Sequence, residues 1–253
     1  HNMKKLILSS LLLVSAGANA ASYQSFNEFN YVNADNYDGF ALSSHYFFKP
    51  QAMIGVLDEF GYLNTDTNLY GSINNFADDN AYNLGGEYFL PNNVFITADV
   101  AKQGDFDAYS VGAGFLLNDD FKVSARYSDA DTADGEVFAR AEYNHQINRI
   151  DYLAFSFDTE VDFDSWELAS RYFMALNSAQ HLAVDASVTE TGNDIVTRVF
   201  GTYYLNQAIS AGVGVNDGKF EVKAKYYTDA NFAFSIGYQD IDEALVFAVY
   251  GQF

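Results

Sequence analysis

The chain is 253 residues, with 13 Lys and Arg against 34 Asp and Glu, a net charge of −21 at pH 7, no Cys, 2 Pro and 17% aromatic residues. This excludes a disordered tail and a disulfide scaffold. It argues against nucleic acid as a partner, which needs Lys and Arg gathered into a patch, and against adhesion to anionic lipid by bulk charge. With 19 Tyr, 23 Phe and 18 Gly, the composition suits pleated strands better than helices.

Met3-Lys4-Lys5, the apolar run Leu6 to Val14 and Ala18-Asn19-Ala20 stand in the order of a secretory signal peptide cleaved after Ala20. The run is too short to span a membrane, which takes ~20 residues. His1 and Asn2 read as residues added ahead of the initiator Met3. The expected organisation is a leader over residues 1–20 and one exported domain over 21–253; loss of Lys4 and Lys5 takes the net charge from −21 to −23.

From Ser22 onward one unit recurs: an alternating strand, an acidic loop, a second alternating strand ending in aromatics, and a tight turn. Descending strands end in His45-Tyr46-Phe47-Phe48, Glu87-Tyr88-Phe89-Leu90, Arg171-Tyr172-Phe173-Met174, Thr202-Tyr203-Tyr204-Leu205 and Lys225-Tyr226-Tyr227-Thr228. Turn-forming residues follow, as in Pro91-Asn92-Asn93, Asn118-Asp119-Asp120 and Asn206-Gln207. Eight hairpins predict sixteen strands, with fourteen as the alternative if the first hairpin or the third strand is misread. That leaves roughly 14 to 15 residues per strand and connector, against ~9–11 for a tilted membrane strand.

Period-2 alternation assigns faces. Val94, Ile96, Ala98 and Val100 share one side, as do Tyr109, Val111, Ala113, Phe115 and Leu117, and Phe220, Val222, Ala224 and Tyr226. The other side carries Lys122, Arg126, Arg140, Arg171, Arg198, Lys219, Lys223 and Lys225. Tyr46, Tyr88, Tyr143, Tyr172, Tyr203 and Tyr226 fall on the apolar face near the turn end, as an aromatic girdle would at a membrane interface. No strand Lys or Arg faces the apolar side, where it would cost ~2–4 kcal/mol at mid-bilayer. The fold predicted is an all-β, transmembrane, antiparallel up-and-down barrel, closed so that no sheet edge meets lipid.

The leader, the short-turn hairpins and a last strand of Leu245, Phe247, Val249, Gly251 and Phe253 resemble Gram-negative outer-membrane β-barrels, and among them the general diffusion porins. The resemblance implies that Phe253 is the signal read by the barrel-assembly machinery. It also implies surrounding outer-membrane lipid and lipopolysaccharide, trimers, and a transverse field between a basic wall and acids on an inward loop. Two departures stand out: Gly251 replaces a frequent aromatic, and the chain is short for sixteen strands with long external loops.

On this reading the pore carries a basic arc of Lys122, Arg126, Arg140, Arg171, Arg198, Lys223 and Lys225, with Glu87, Asp99, Glu142, Glu167 and Glu221 as its acids. The connector Thr65 to Asp79, with Asp66, Asp78 and Asp79, is the candidate constriction loop; a plain surface loop is the alternative. The remaining acids, among them Asp35, Asp38, Asp105, Asp129, Asp131, Asp134, Asp162, Asp164, Asp240, Asp242 and Glu243, crowd the long-loop end. A negative mouth concentrates cations, so cation preference is expected. These acids could equally hold divalent ions that bridge lipopolysaccharide.

Asp129-Ala130-Asp131 with Asp134-Gly135-Glu136 fails the calcium-loop spacing, since Ala133 takes a ligand position and the Glu comes too early. No metal, no cofactor and no catalytic residue is expected. His45 and His181 read inward and His145 outward, and no Ser, His and acid set assembles at one depth. Ser25, Asn27, Ser44 and Asp58 read as polar residues on the lipid side of strands one to three. There a β-bulge at Asp58-Glu59 and a trimer interface are the two explanations. The expected function is passive diffusion of small hydrophilic solutes or ions. The alternatives are a non-conducting receptor or scaffold, and an outer-membrane hydrolase.

Overall fold

The computed structural model describes residues 22–76, 79–131, 133–192 and 194–253; the leader read over residues 1–20 and Asp78 lie outside them. The strands in chain order are β1 (Ser22–Asn33), β2 (Asp38–Ala52), β3 (Asn68–Phe76), β4 (Asp79–Phe89), β5 (Val94–Gln103), β6 (Phe106–Asn118), β7 (Phe121–Ala130) and β8 (Ala133–Gln146). They continue as β9 (Tyr152–Glu160), β10 (Ser165–Ala175), β11 (His181–Thr191), β12 (Asp194–Tyr204), β13 (Ile209–Asn216), β14 (Lys219–Tyr227), β15 (Phe232–Gln239) and β16 (Ala244–Gln252). Each pairs antiparallel with its chain neighbours, and β1 pairs β16 to close a sixteen-stranded barrel. The sixteen-strand reading holds.

Alternation is what closes the wall this way. Val111, Leu117, Val213, Phe220, Phe234 and Phe247 point outward and are exposed, while their sequence neighbours face the lumen. A soluble sandwich would bury the apolar face; here it forms a continuous exterior, which only a lipid surround satisfies. Inside, the aromatic residues need space. At Gly114 a Cβ would lie 2.2 Å from Phe95 Cζ and 2.4 Å from the Val123 carbonyl oxygen, so only glycine lets the Phe95 ring lie flat on β6.

Two expectations are corrected. The stretch Thr65 to Asp79 is not a connector, because Asn68–Phe76 is β3 and Asp79 opens β4. The region around Asp58-Glu59 is not a strand but part of the connector 53–67, so strand and loop exchange places and the count survives. The apolar residues Ile54, Val56 and Phe60 made it look like wall; inside the barrel Val56 is buried and Ile54 and Phe60 are half-buried instead. The connectors at the end where the acids crowd are short, as the residue count per strand requires. Among the described residues, the connectors away from the termini are two to four residues, such as 34–37, 104–105, 217–218 and 240–243. The connector 53–67 leaves from the end that carries both termini.

Candidate functional site

The connector 53–67 folds into the barrel. Its first half is a compact knot in which Ile54 N donates to Glu59 O at 2.8 Å and Glu59 N to Val56 O at 3.2 Å. Gly55 makes the turn at φ 74°, where a Cβ would also sit 2.8 Å from His181 Nε2. Val56 is fully buried among Tyr152, Ala154, Phe173, Ala183 and Tyr204 of β9 to β12. On the opposite wall Phe60 packs edge-on against Phe26 at 4.7 Å and Tyr23 at 6.0 Å, both from β1. Full burial of Val56 contributes about 1.5–3 kcal/mol, and the half-buried Phe60 adds to it.

Charge pairs add direction to that packing. Asp58 accepts from Lys225 Nζ on β14 and from the Tyr227 hydroxyl at 3.0 Å. Glu59 is buried and accepts from Arg171 on β10 and from the Tyr152 hydroxyl. Gln252 Nε2 donates to Leu57 O at 3.3 Å, and Lys122 Nζ to Asn64 O at 3.1 Å. Asp58 and Glu59 thus both face the lumen, as a bulge would have made them, and neither meets lipid.

All seven residues of the basic arc project inward, most of them paired. Lys122 sits 2.7 Å from Glu87 and 4.6 Å from the Phe95 ring centroid. Arg126 is bidentate to Asp158 at 2.7 and 2.9 Å, and Arg140 holds Glu142 at 3.1 Å and Asp158 at 3.6 Å. Arg171 also grips Asp185 at 2.6 and 2.8 Å. Arg198 donates from Nε to Glu221 at 2.7 Å. Lys223 is exposed to the lumen, with its ammonium 5.3 Å from the Tyr250 ring centroid.

Of the acids read from sequence, Glu87, Glu142 and Glu221 sit in these pairs, Asp99 accepts from Tyr70 and from Ser110 Oγ at 3.1 Å, and Glu167 accepts from Thr189 at 3.2 Å. Asp66 stands at the foot of the loop, paired at 2.6 Å with the exposed Lys49. Sequence reasoning missed Glu28, Asp158 and Asp185, and placed Asp58 and Glu59 in a strand of the wall rather than in the loop that carries them inward. Asp158 lies opposite Arg140 and Asp185 opposite Arg171 in the strand register, so alternation carried through β9 and β11 finds both.

Two cavities flank the loop. One of about 790 Å³ reaches Val32, Phe76 and Gln239 toward the far end; the other, about 480 Å³, reaches Phe26 and Gln252 toward the termini. Glu28, Asp58, Phe60 and Lys225 line both, so the two cavities meet there. The described histidines are committed elsewhere. His45 bonds Asn68 Oδ1 at 3.0 Å, His181 stacks on Phe173 at 5.5 Å, and His145 lies outside beside Tyr143.

On the outer face Tyr46, Tyr88, Tyr143, Tyr203 and Tyr226 are exposed and Tyr172 is half-exposed, near the ends of the descending strands. The polar residues there satisfy one another. Asn27 Nδ2 donates to Ser25 Oγ at 2.9 Å and Ser44 Oγ donates to Asn27 Oδ1 at 2.8 Å. Phe253 closes the seam, its N donating to Ser25 O at 2.9 Å and its O accepting from Ser25 N at 2.8 Å. At the far rim Asp35 sits beside Glu243, and their hydrogen bond and mutual repulsion raise the Glu243 pKa.

The model of a family described as putative general bacterial porin matches residues 3–245. The chain belongs to that family. Membership places the porin in the bacterial outer membrane. Its fold resembles that of the Acinetobacter baumannii outer membrane protein Omp33, at 18% identity and TM-score 0.64 over 93% of this chain and 100% of that one. It also resembles a triple mutant of the Rhodopseudomonas blastica porin, at 11% identity and TM-score 0.51 over 92% and 99%. No curated protein matches the porin's sequence. At these identities the two solved structures speak to the fold alone.

Proposed function

We propose that the porin is a passive, water-filled channel for small hydrophilic solutes and ions, exported by a cleaved leader. The observation that carries this reading is the pair of polar-lined cavities meeting beside the inward loop at Glu28, Asp58, Phe60 and Lys225. Solutes pass such a lumen without any bond being made or broken. The acids of the far rim favour cations by their summed field. They also suit divalent ions that bridge lipopolysaccharide. Phe253 is the residue we assign to recognition by the barrel-assembly machinery. The flat outer face around Ser25, Asn27, Ser44 and Gly71 is where a homotrimer would pack.

Planar-bilayer recording of the refolded mature porin under a KCl gradient tests this. Stable conductance steps with a cation-selective reversal potential are expected; chloride preference would overturn the selectivity. The second reading is a non-conducting receptor or scaffold, favoured by the ties that hold the loop to both walls. A folded but silent barrel would establish it.

A further inference from the structure

The charges lining the first cavity form a short ledger. Arg171 is taken by Glu59 and Asp185, Arg198 by Glu221, and Lys225 by Asp58. What remains on that lining is one ammonium, Lys223, and one carboxylate, Glu28, neither with an ion-pair partner among the described residues. Arg198 adds two terminal guanidinium nitrogens, since only its Nε is engaged.

Their placement is ordered along the passage. Through the pairings of β14 to β15, β16 and β1, Lys223 stands in register with Gly237, Val246 and Val32. Glu28 lies four residues further along β1, paired with Tyr250 and lining both cavities. The inward residues between them are Ser235, Gly237, Val246 and Ala248, with the Tyr250 ring standing between the Lys223 ammonium, 5.3 Å away, and Glu28. Lys223 and Arg198 line only the cavity toward the far rim while Glu28 lines both, so a solute descending from that rim meets the cations first.

We propose that this wall is a subsite for zwitterionic amino acids, with the solute carboxylate on Lys223 and Arg198 and its ammonium on Glu28 where the cavities meet. A solute carrying one charge satisfies one group and leaves the other repelling it; a neutral solute satisfies neither. Both groups are hydrated when the site is empty, so the gain is that of a solvated ion pair, which suits a channel that must also release its cargo.

The inference rests on the channel reading, and the experiment separates the two. The full mature porin in liposomes is given four solutes of one size: L-alanine, neutral lactamide, cationic alaninamide and anionic lactate. Alanine should enter faster than lactamide by about threefold, the scale of a solvated ion pair. Glu28→Gln and Lys223→Gln should each bring that ratio to near one, the first speeding lactate and the second alaninamide. An alanine to lactamide ratio near one in the unaltered porin, or one that both variants leave unchanged, overturns the subsite. KCl conductance steps seen alongside that result leave the channel standing; a silent barrel overturns both.

Discussion

Glu59 and Arg171, 112 residues apart in sequence, form an ion pair inside the barrel, with Asp185 and the Tyr152 hydroxyl completing the cluster. A loop that leaves the wall after β2 is thereby fixed to β9 and β10 on the far side. The pairing works because the carboxylate is buried and its oxygens are satisfied by a guanidinium and a phenol, which removes the penalty of an isolated buried charge.

Glu59→Gln keeps the shape and removes the charge. Arg171 retains Asp185, so the expected loss is about 1–3 kcal/mol, that of one buried hydrogen-bonding partner. Urea unfolding followed by tryptophan fluorescence from Trp166 measures it. In bilayers the same variant should show a larger and noisier open current, because one tie across the passage is gone.

Val56→Asp tests the apolar anchor. An unpaired carboxylate among Tyr152, Phe173 and Tyr204 forces the loop out of its pocket. The barrel wall does not depend on this side chain, so the variant should still fold while its single-channel conductance rises at least as far as in Glu59→Gln. Unchanged conductance would show that the loop does not restrict the pore.

Gly114→Ala places a methyl where the Phe95 ring and the Val123 carbonyl already stand. The overlap costs about 1–3 kcal/mol and should appear as a lower urea midpoint. Phe95→Leu in the same background should recover part of it.

Cation preference should weaken as pH falls. Asp35 raises the Glu243 pKa, so Glu243 takes up its proton at a higher pH than an ordinary carboxylate, and the rim loses charge there as pH falls. The sign follows: Glu243 is neutral below its raised pKa and carries its repulsive charge above it. The reversal potential under a KCl gradient, recorded from pH 7 downward, should drop earlier in the unaltered porin than in Glu243→Gln.

The wall was legible because each strand has one face toward lipid and one toward water, which imposes a period of two on β5, β6, β7 and β14. β3 was not. Its apolar face is reduced to Leu69, Gly71 and Ile73 and its other positions include Asn68, Asn74 and Asn75, so it reads as a loop. The segment before it misled in the opposite sense, since hydrophobicity says that Val56 and Phe60 leave water but not on which side of the wall. The basic arc could be read from alternation, whereas its partners Asp58 and Glu59 needed the loop's path. The girdle tyrosines needed only depth and face, and both follow from spacing to the turns.

The loop touches both sides of the line where the chain's two ends meet. Phe60 rests on Phe26 of β1, Leu57 O accepts from Gln252 of β16, and Asp58 reaches Lys225 two strands further round. It is therefore a clasp over the final seam, drawn shut from within. The contacts bind the first and last strands to one segment, so the closing pair is held from the lumen as well as by its own ladder. A barrel with its clasp undone should part at β1 and β16 before it parts anywhere else.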